Sequence, residues 1–417
     1  MTSAIKNEYD LTVERLLCLA LDTAEGMLKC GAEINRVENT VERICKAYGA
    51  EHVEVFSITS LILAAIRMPN GSYSSQMRRI KGTENNMMRL ELYNSVSRRI
   101  CSETPPLSEF EKMLTEAKSK RSYPLWLVTI AAMAAAGGFA VFFGGTVFDA
   151  ISAALIGCII HLVEKGALMK INRMVKTAIS SFIGGMLSCL SVLIGFGDNA
   201  GIIMTGTLML LVPGIAFGTA LRNLLWGDIL SGTLEIVRAA LTAFMIALGY
   251  MLAMFILKGT FVPSFAPPIP IVQFIALGVA VLGFAVIFST APLRLPFAVI
   301  GGEVTFAIYF MCEKLSLGVF VCAFAASAFA VFYSESVARL GKAPAIVFLL
   351  SCVVTIVPGG SLYNAMSGFL IKDNSIAFSY LGISVGIGLG MACGIAIGSI
   401  IFGTYEGIRN KILNRLK

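Results

Sequence analysis

Charge is what this chain has least of. Asp, Glu, Lys and Arg supply only 14% of its 417 residues while hydrophobic types supply 56%, and mean hydropathy is +0.79. A soluble chain of this length would not carry so much apolar surface, so the composition is that of an integral membrane protein. Histidine is nearly absent, with His52 and His161 alone, which leaves little scope for a histidine-based metal or catalytic centre. Ten cysteines occur without a CxxC pair, and six of them (Cys158, Cys189, Cys312, Cys322, Cys352, Cys393) lie in apolar runs where the thiol behaves as a small hydrophobe. Disulfides and zinc are therefore not expected. The chain also has no GxxxxGK[ST] phosphate loop, so no cofactor or nucleotide-driven engine is expected. No cleavable signal is expected either: the first 120 residues are polar, mixed in charge and amphipathic, which would leave the N-terminus in the cytoplasm. The net charge of +7 is scattered, without the aromatic-interleaved basic face of a nucleic-acid binder. Anchoring of loops against an anionic lipid bilayer explains it more cheaply.

What is present begins with an α+β stretch, residues 1–122, large enough for its own core. Over residues 9–49, Leu16, Leu17, Leu19, Ala20, Met27, Val37, Val41 and Ile44 recur at helical spacing, and Gly31 marks a break between two helices. Residues 53–68 read as one β-branched strand, Pro69-Asn70-Gly71 as a turn, and 72–80 as the hairpin partner. Two amphipathic helices follow, near 85–101 and 107–120. Glu33, Arg36 and Glu38, and the pair Arg78-Arg79, are explained most simply as a solvated helix face and a basic strand end; a gating or binding role is the lesser alternative.

Beyond Pro124 the sequence predicts ten apolar segments, at about 124–143, 147–163, 177–196, 201–220, 233–256, 270–289, 295–312, 315–333, 343–362 and 378–402. Leu211-Val212-Pro213-Gly214 in the fourth returns as Ile356-Val357-Pro358-Gly359 in the ninth, an offset of 145 residues (358 − 213). At that offset Gly138-Phe139-Ala140-Val141-Phe142-Phe143 falls on Gly283-Phe284-Ala285-Val286-Ile287-Phe288, and Asp228 on Asp373. The reading is a 5+5 inverted repeat with broken fourth and ninth helices: repeat 1 over 123–260, repeat 2 over 266–404, then a basic tail at 405–417. Proline lacks an N–H and glycine loosens the backbone, so each helix should break there. Paired breaks in two halves point to a transporter's central site, although a packing kink would explain either one alone. Lys and Arg concentrate in the loops that a cytoplasmic N-terminus puts inside, and in the tail, which places both termini in the cytoplasm.

Residues that would carry transport follow from these breaks. Glu303 lies mid-segment, where an unpaired charged carboxylate costs several kcal/mol; it is a candidate proton carrier, with a structural hydrogen bond as the even alternative. Glu235 and Arg238, three apart, share a helix face and either pair with each other or leave Arg238 for a substrate carboxylate, with Glu235 as a second proton-coupling candidate. Asn223 and Asp228 follow the first break, and Tyr363 and Asn364 the second. A split helix offers free N–H groups at one half-helix start and free carbonyls at the other end. Thr205, Thr207, Thr219, Thr355 and Ser361 are positioned either to read a hydroxylated substrate or to help helices pack. Asp149 and Glu335 sit near segment ends and read as interfacial.

Gly31-Ala32-Glu33-Ile34-Asn35-Arg36-Val37-Glu38, the Val53-Glu54-Val55-Phe56 strand, Arg78-Arg79, and the later Val-Pro-Gly with Asp228, Ser231-Gly232 and Arg238 together resemble the threonine/serine exporter (ThrE) family over nearly the whole chain. The resemblance implies proton-motive-force-driven export of threonine and serine across the bacterial inner membrane, with the proton as coupling ion. Related systems that split this layout in two export dicarboxylates such as succinate, which stays an alternative. A membrane enzyme or signalling module with its chemistry in the N-terminal domain is the alternative of another class, opposed by the lack of a nucleophile–base pair. A homo-oligomer is an open option that no motif requires.

Overall fold

The computed structural model describes residues 3–415 apart from 83, 121, 167, 170, 213–219, 221–222, 225–227, 258–267 and 371; the side chains of 3–11, 363, 366–367, 370 and 406–415 also lie outside the description. Two units are distinct. Unit 1 comprises Met1–Tyr123 with the short segments Phe288–Ala291 and Lys342–Ile346, and unit 2 comprises the remainder.

In unit 1, α1 (Ser3–Lys29) and α2 (Ile34–Ala47) are separated at Gly31, whose φ of +95° suits glycine. α2 buries Ile34, Val37, Val41 and Ile44, one stripe of a 3.6-residue helix. Strands β1 (His52–Ile58), β2 (Leu61–Arg67) and β3 (Tyr73–Arg79) form an antiparallel meander in the order β1-β2-β3. The run 53–68 is therefore two strands rather than one. Ile58 pairs with Leu61, so Thr59-Ser60 makes a two-residue turn that lacks the Asn-Gly or Asp-Gly signal and is hidden in a β-rich run. β2 buries Ile62, Ala64 and Ile66. α3 (Met87–Glu103) is capped by Asn86, whose side chain accepts the Arg89 N–H, and α4 (Leu107–Ser119) buries Phe110, Leu114 and Ala117.

Arg36 and Glu38 are not a solvated face. Glu38 accepts from the N–H and the hydroxyl of Ser57 at 2.6 and 3.0 Å, and Arg36 donates to Asn94 Oδ1 at 3.0 Å, so α2 is tied to β1 and α3. Arg78 and Lys118 both pair with Asp22. Burial pushes the thiols of Cys30 and Cys45 up to about 12.

Unit 2 continues with α5 (Leu125–Phe142), α6 (Val147–Lys165), α7 (Arg173–Leu193), α8 (Ala200–Leu208), α9 (Ile229–Leu257), α10 (Pro270–Ile287), α11 (Leu295–Lys314), α12 (Val319–Gly341), α13 (Ile346–Val353), α14 (Gly359–Leu370) and α15 (Asn374–Arg415). Among the described residues, eight helices are long and apolar enough to cross a membrane: α5, α6, α7, α9, α10, α11, α12 and α15. The chain is a multi-pass helical membrane protein with a small three-stranded sheet near its N-terminus. The fourth and ninth expected segments are not single long helices. α8 stops at Leu208, and Pro213 and Gly214 lie outside the described residues. In the ninth, α13 tightens into a 3-10 turn (Val354–Ile356), Val357 is extended, and α14 begins after Pro358. α15 carries the helix on through Arg415, into residues expected as a basic tail.

α5 and α10 cross with their backbones almost touching. A Cβ on Gly138 would lie 2.8 Å from the carbonyl oxygen of Ala276 and 3.0 Å from Ala280 N; one on Gly283 would lie 2.5 Å from the oxygen of Ala131 and 2.9 Å from Ala135 N. Rising numbers on one helix meet falling numbers on the other, so the two run antiparallel.

Candidate functional site

The site is built around the break at Pro358. Proline has no N–H to continue the α13 ladder, so the helix ends and restarts one residue later. Gly359, the first residue of α14, sits so close to the end of α8 that a Cβ there would collide with Met209 Sδ and lie 3.7 Å from Leu208. Gly360 is also close to the ring of Phe143, where a Cβ would lie at 3.0 Å. The start of the half-helix after the second break thus meets the last turn described before the first.

Polar atoms are left over on both sides of this meeting point. Asn364 is 2% exposed and Ser351 0% exposed, and neither the Asn364 Oδ1 nor the Ser351 hydroxyl has a hydrogen-bond partner among the described residues. The hydroxyl of Ser231, at the start of α9, is buried and unpartnered in the same sense. Each such atom costs about 1–3 kcal/mol if it stays unpaired, so a ligand or water that pairs it recovers that energy. Ser361, by contrast, accepts from Ser384 of α15.

The remaining predicted residues are spread around this centre. Asn223 donates to Glu235 at 3.2 Å, so these two are brought together, whereas Arg238 is exposed. Asp228 occupies the residue before α9 and accepts the Gly232 N–H through its carbonyl, as Asp373 precedes α15 and caps it through Ile376 N. Tyr363 lies on α14, with its side chain outside the description. Glu303 faces α10, where a Cβ on Gly278 would lie 2.8 Å from its Oε1. On the same pair of faces the rings of Phe274, Phe306 and Phe310 pack together, and the carboxylate has no hydrogen-bond or ion-pair partner among the described residues. Gly301 of α11 instead packs against Cys352 of α13, so Glu303 and the break are served by different sides of α11.

Asp149 lies in the first turn of α6, near the segment end as expected, but it is 1% exposed, and its carboxylate accepts three backbone N–H groups, those of Thr146, Asp198 and Asn199, at 3.1, 2.8 and 2.9 Å. It closes a capping box on α6 and fastens the loop that starts α8. Thr207, expected to read a substrate or help helices pack, meets the fully buried Tyr250 hydroxyl at 3.1 Å; sequence reasoning passed over Tyr250, Met209 and Ser351. The Thr-x-x-Asp spacing at 146–149 is a cap signature that would have flagged Asp149; a buried methionine beside a distant glycine carries no such signal.

Two family profiles match the chain. That of ThrE, "Putative threonine/serine exporter", covers residues 18–257, and that of ThrE_2, "Threonine/Serine exporter, ThrE", covers residues 273–401. A protein of Mycobacterium tuberculosis (strain ATCC 25618 / H37Rv) described as "Probable threonine/serine exporter" is 23% identical over 390 residues, spanning 87% of this chain and 72% of that protein. No solved structure matches. With a profile covering more than half of its length, this chain belongs to the threonine/serine exporter family, ThrE.

Proposed function

We propose that this chain is a secondary active exporter of small hydroxy amino acids, threonine and serine, driven by the proton motive force through alternating access in the bacterial inner membrane, with both termini cytoplasmic. The observation that carries this reading is the meeting of Gly359 with Met209, which draws the second break to the end of the helix leading into the first. Discontinuous helices that converge inside a membrane protein are where backbone polar groups can serve a substrate. In this reading the start of α14 takes the substrate carboxylate, Asn364 Oδ1 takes its ammonium, and Ser351 and Ser231 are available to its hydroxyl. Asn223, Glu235, Asp228 and Arg238 line the approaches, while the expected roles of Tyr363 and of Pro213-Gly214 rest on the sequence, since their placement lies outside the described residues.

Two inverted five-helix repeats are part of the proposal. α5 and α10 begin and end 145 residues apart, α9 and α15 begin 145 apart, and the α5–α10 contacts are reciprocal at that same offset: Gly138 on Ala276 and Ala280, Gly283 on Ala131 and Ala135. A reciprocal contact of this kind is what a local two-fold axis produces. Glu303 is assigned the coupling proton, because an acid on a membrane-spanning helix with no charged partner among the described residues marks a proton or ion path by default.

The test is efflux of preloaded radiolabelled threonine, serine and succinate from cells expressing the chain, with and without a protonophore, beside Glu303→Gln. Threonine and serine efflux that collapses with the proton gradient and in the variant supports the proposal. Movement of succinate alone would reassign the substrate, and movement of all three without a gradient would make the chain a channel.

A further inference from the structure

Unit 1 contains more than the N-terminal residues: it takes in Phe288–Ala291, which joins α10 to α11, and Lys342–Ile346, which runs into α13. The bonds that hold them are specific. The first N–H groups of α3, those of Met87 and Met88, donate to the carbonyls of Phe288 and Ser289 at 2.9 Å each. Tyr123 donates to the carbonyl of Thr290 at 2.8 Å, and Arg98 to that of Lys342 at 2.5 Å. A helix start has free N–H groups, and the chain just past a helix end has free carbonyls, so each supplies what the other lacks. Ser289 and Lys342 also hold left-handed backbone, at φ of 54° and 52°, a region uncommon for non-glycine residues.

These two segments are the 145-residue counterparts of 143–146 and 197–201. In that first pair the chain fastens itself: Asp149 accepts from Thr146, Asp198 and Asn199, and the Thr146 hydroxyl donates to Asp198 at 2.6 Å. Position 149 corresponds to Arg294, which reaches Gly341 O at 2.6 Å. In this second pair α3 and Tyr123 add hydrogen bonds to both segments.

We propose that α3, through its first turn and Arg98, acts with Tyr123 as a releasable clasp on the two cytoplasm-facing loops of the second half. The first-half pair is held by a built-in carboxylate, and the second-half pair, within unit 1, is closed by hydrogen bonds from α3 and Tyr123. Release frees 342–346, and with it the start of α13, the helix that ends in the Pro358 break. The direction of opening, toward the cytoplasm for substrate loading, rests on the exporter reading.

Thr290 reports on the clasp, being 0% exposed with its hydroxyl unpartnered among the described residues. Thr290→Cys in the full chain, in inside-out vesicles, would be labelled with a membrane-impermeant maleimide and the rate read by mass mapping of that peptide. Labelling should be slow at rest, rise at least about tenfold when Arg98→Ala and Tyr123→Phe are added, fall back with Arg98→Lys in place of Arg98→Ala, and rise several-fold when threonine is supplied on the cytoplasmic face. Equal rates with and without the clasp substitutions would overturn the clasp. Equal rates with and without threonine, in a chain that exports threonine, would overturn its release during transport. If threonine is not exported while the clasp substitutions still speed labelling, the exporter reading fails and the clasp stands. The Arg98→Lys arm separates an opened clasp from a misfolded chain.

Discussion

The stretches 125–257 and 270–402 place their helices in the same register but secure them differently. In the first, a buried carboxylate on backbone N–H groups joins the start of α6 to the start of α8, and a Thr207–Tyr250 bond joins α8 to α9. In the second, the counterparts of Asp149, Thr207 and Tyr250 are Arg294, Cys352 and Ile395, and the unpaired acid Glu303 stands where the first has Cys158. On the proposed repeat reading, helix register and the small crossing residues match while the polar groups differ. Packing constrains small residues at a helix crossing on both sides, whereas a hydrogen bond needs to exist only where the fold has no other fastening.

The sharpest test of this contrast is functional. Glu303→Gln should lower proton-driven efflux by about 100-fold, the usual scale for losing a proton carrier, while Cys158→Ser leaves efflux within about twofold. Equal effects would remove the distinction. Next in size, Asp149→Ala orphans three backbone N–H groups and should cost about 3 kcal/mol in thermal unfolding of the purified protein in lipid discs, against about 1 kcal/mol for Arg294→Met. Near equality there would mean that the halves are secured alike.

Gly138→Ala and Gly283→Ala probe what the stretches share. Both put a Cβ within 3.0 Å of backbone, so each should cost about 2 kcal/mol and the two values should agree within about 0.5 kcal/mol. A large disparity would argue against a two-fold axis at that crossing. Tyr250→Phe should cost about 1 kcal/mol, because Thr207 keeps its bonds to the carbonyls of Ile203 and Met204. The smallest effect concerns unit 1. At pH 8, Cys30 and Cys45 should resist maleimide until the unit unfolds, read by mass. Their folded pKa of about 12 lies above the ordinary 9.0, so the unfolded thiols ionise first and this contribution to stability is lost as pH rises from 9 through 12.

Much of the architecture could be read ahead of the structure, and the residues say why. Membrane class, the Gly31 break and the helices near 85–101 and 107–120 follow from hydropathy and spacing, which are sums over neighbouring residues. The Pro358 break follows from a missing N–H, a property of one residue. The Thr59-Ser60 turn escaped because no residue in it demands a positive φ, and the bonds from Asp149 to Asp198 and Asn199 escaped because those partners lie about 50 residues away.

The sequence by itself determined that this chain enters a membrane, that a helix breaks at Pro358, and that two Val-Pro-Gly motifs recur at one offset, since each rests on local chemistry. Only the tertiary structure decided that Gly359 meets Met209, that Arg36 and Glu38 tie α2 to its neighbours, and that α3 holds Phe288 and Ser289. Those depend on close approach between residues up to about 200 positions apart, and a hydrogen bond across that distance leaves no periodicity in the chain that forms it.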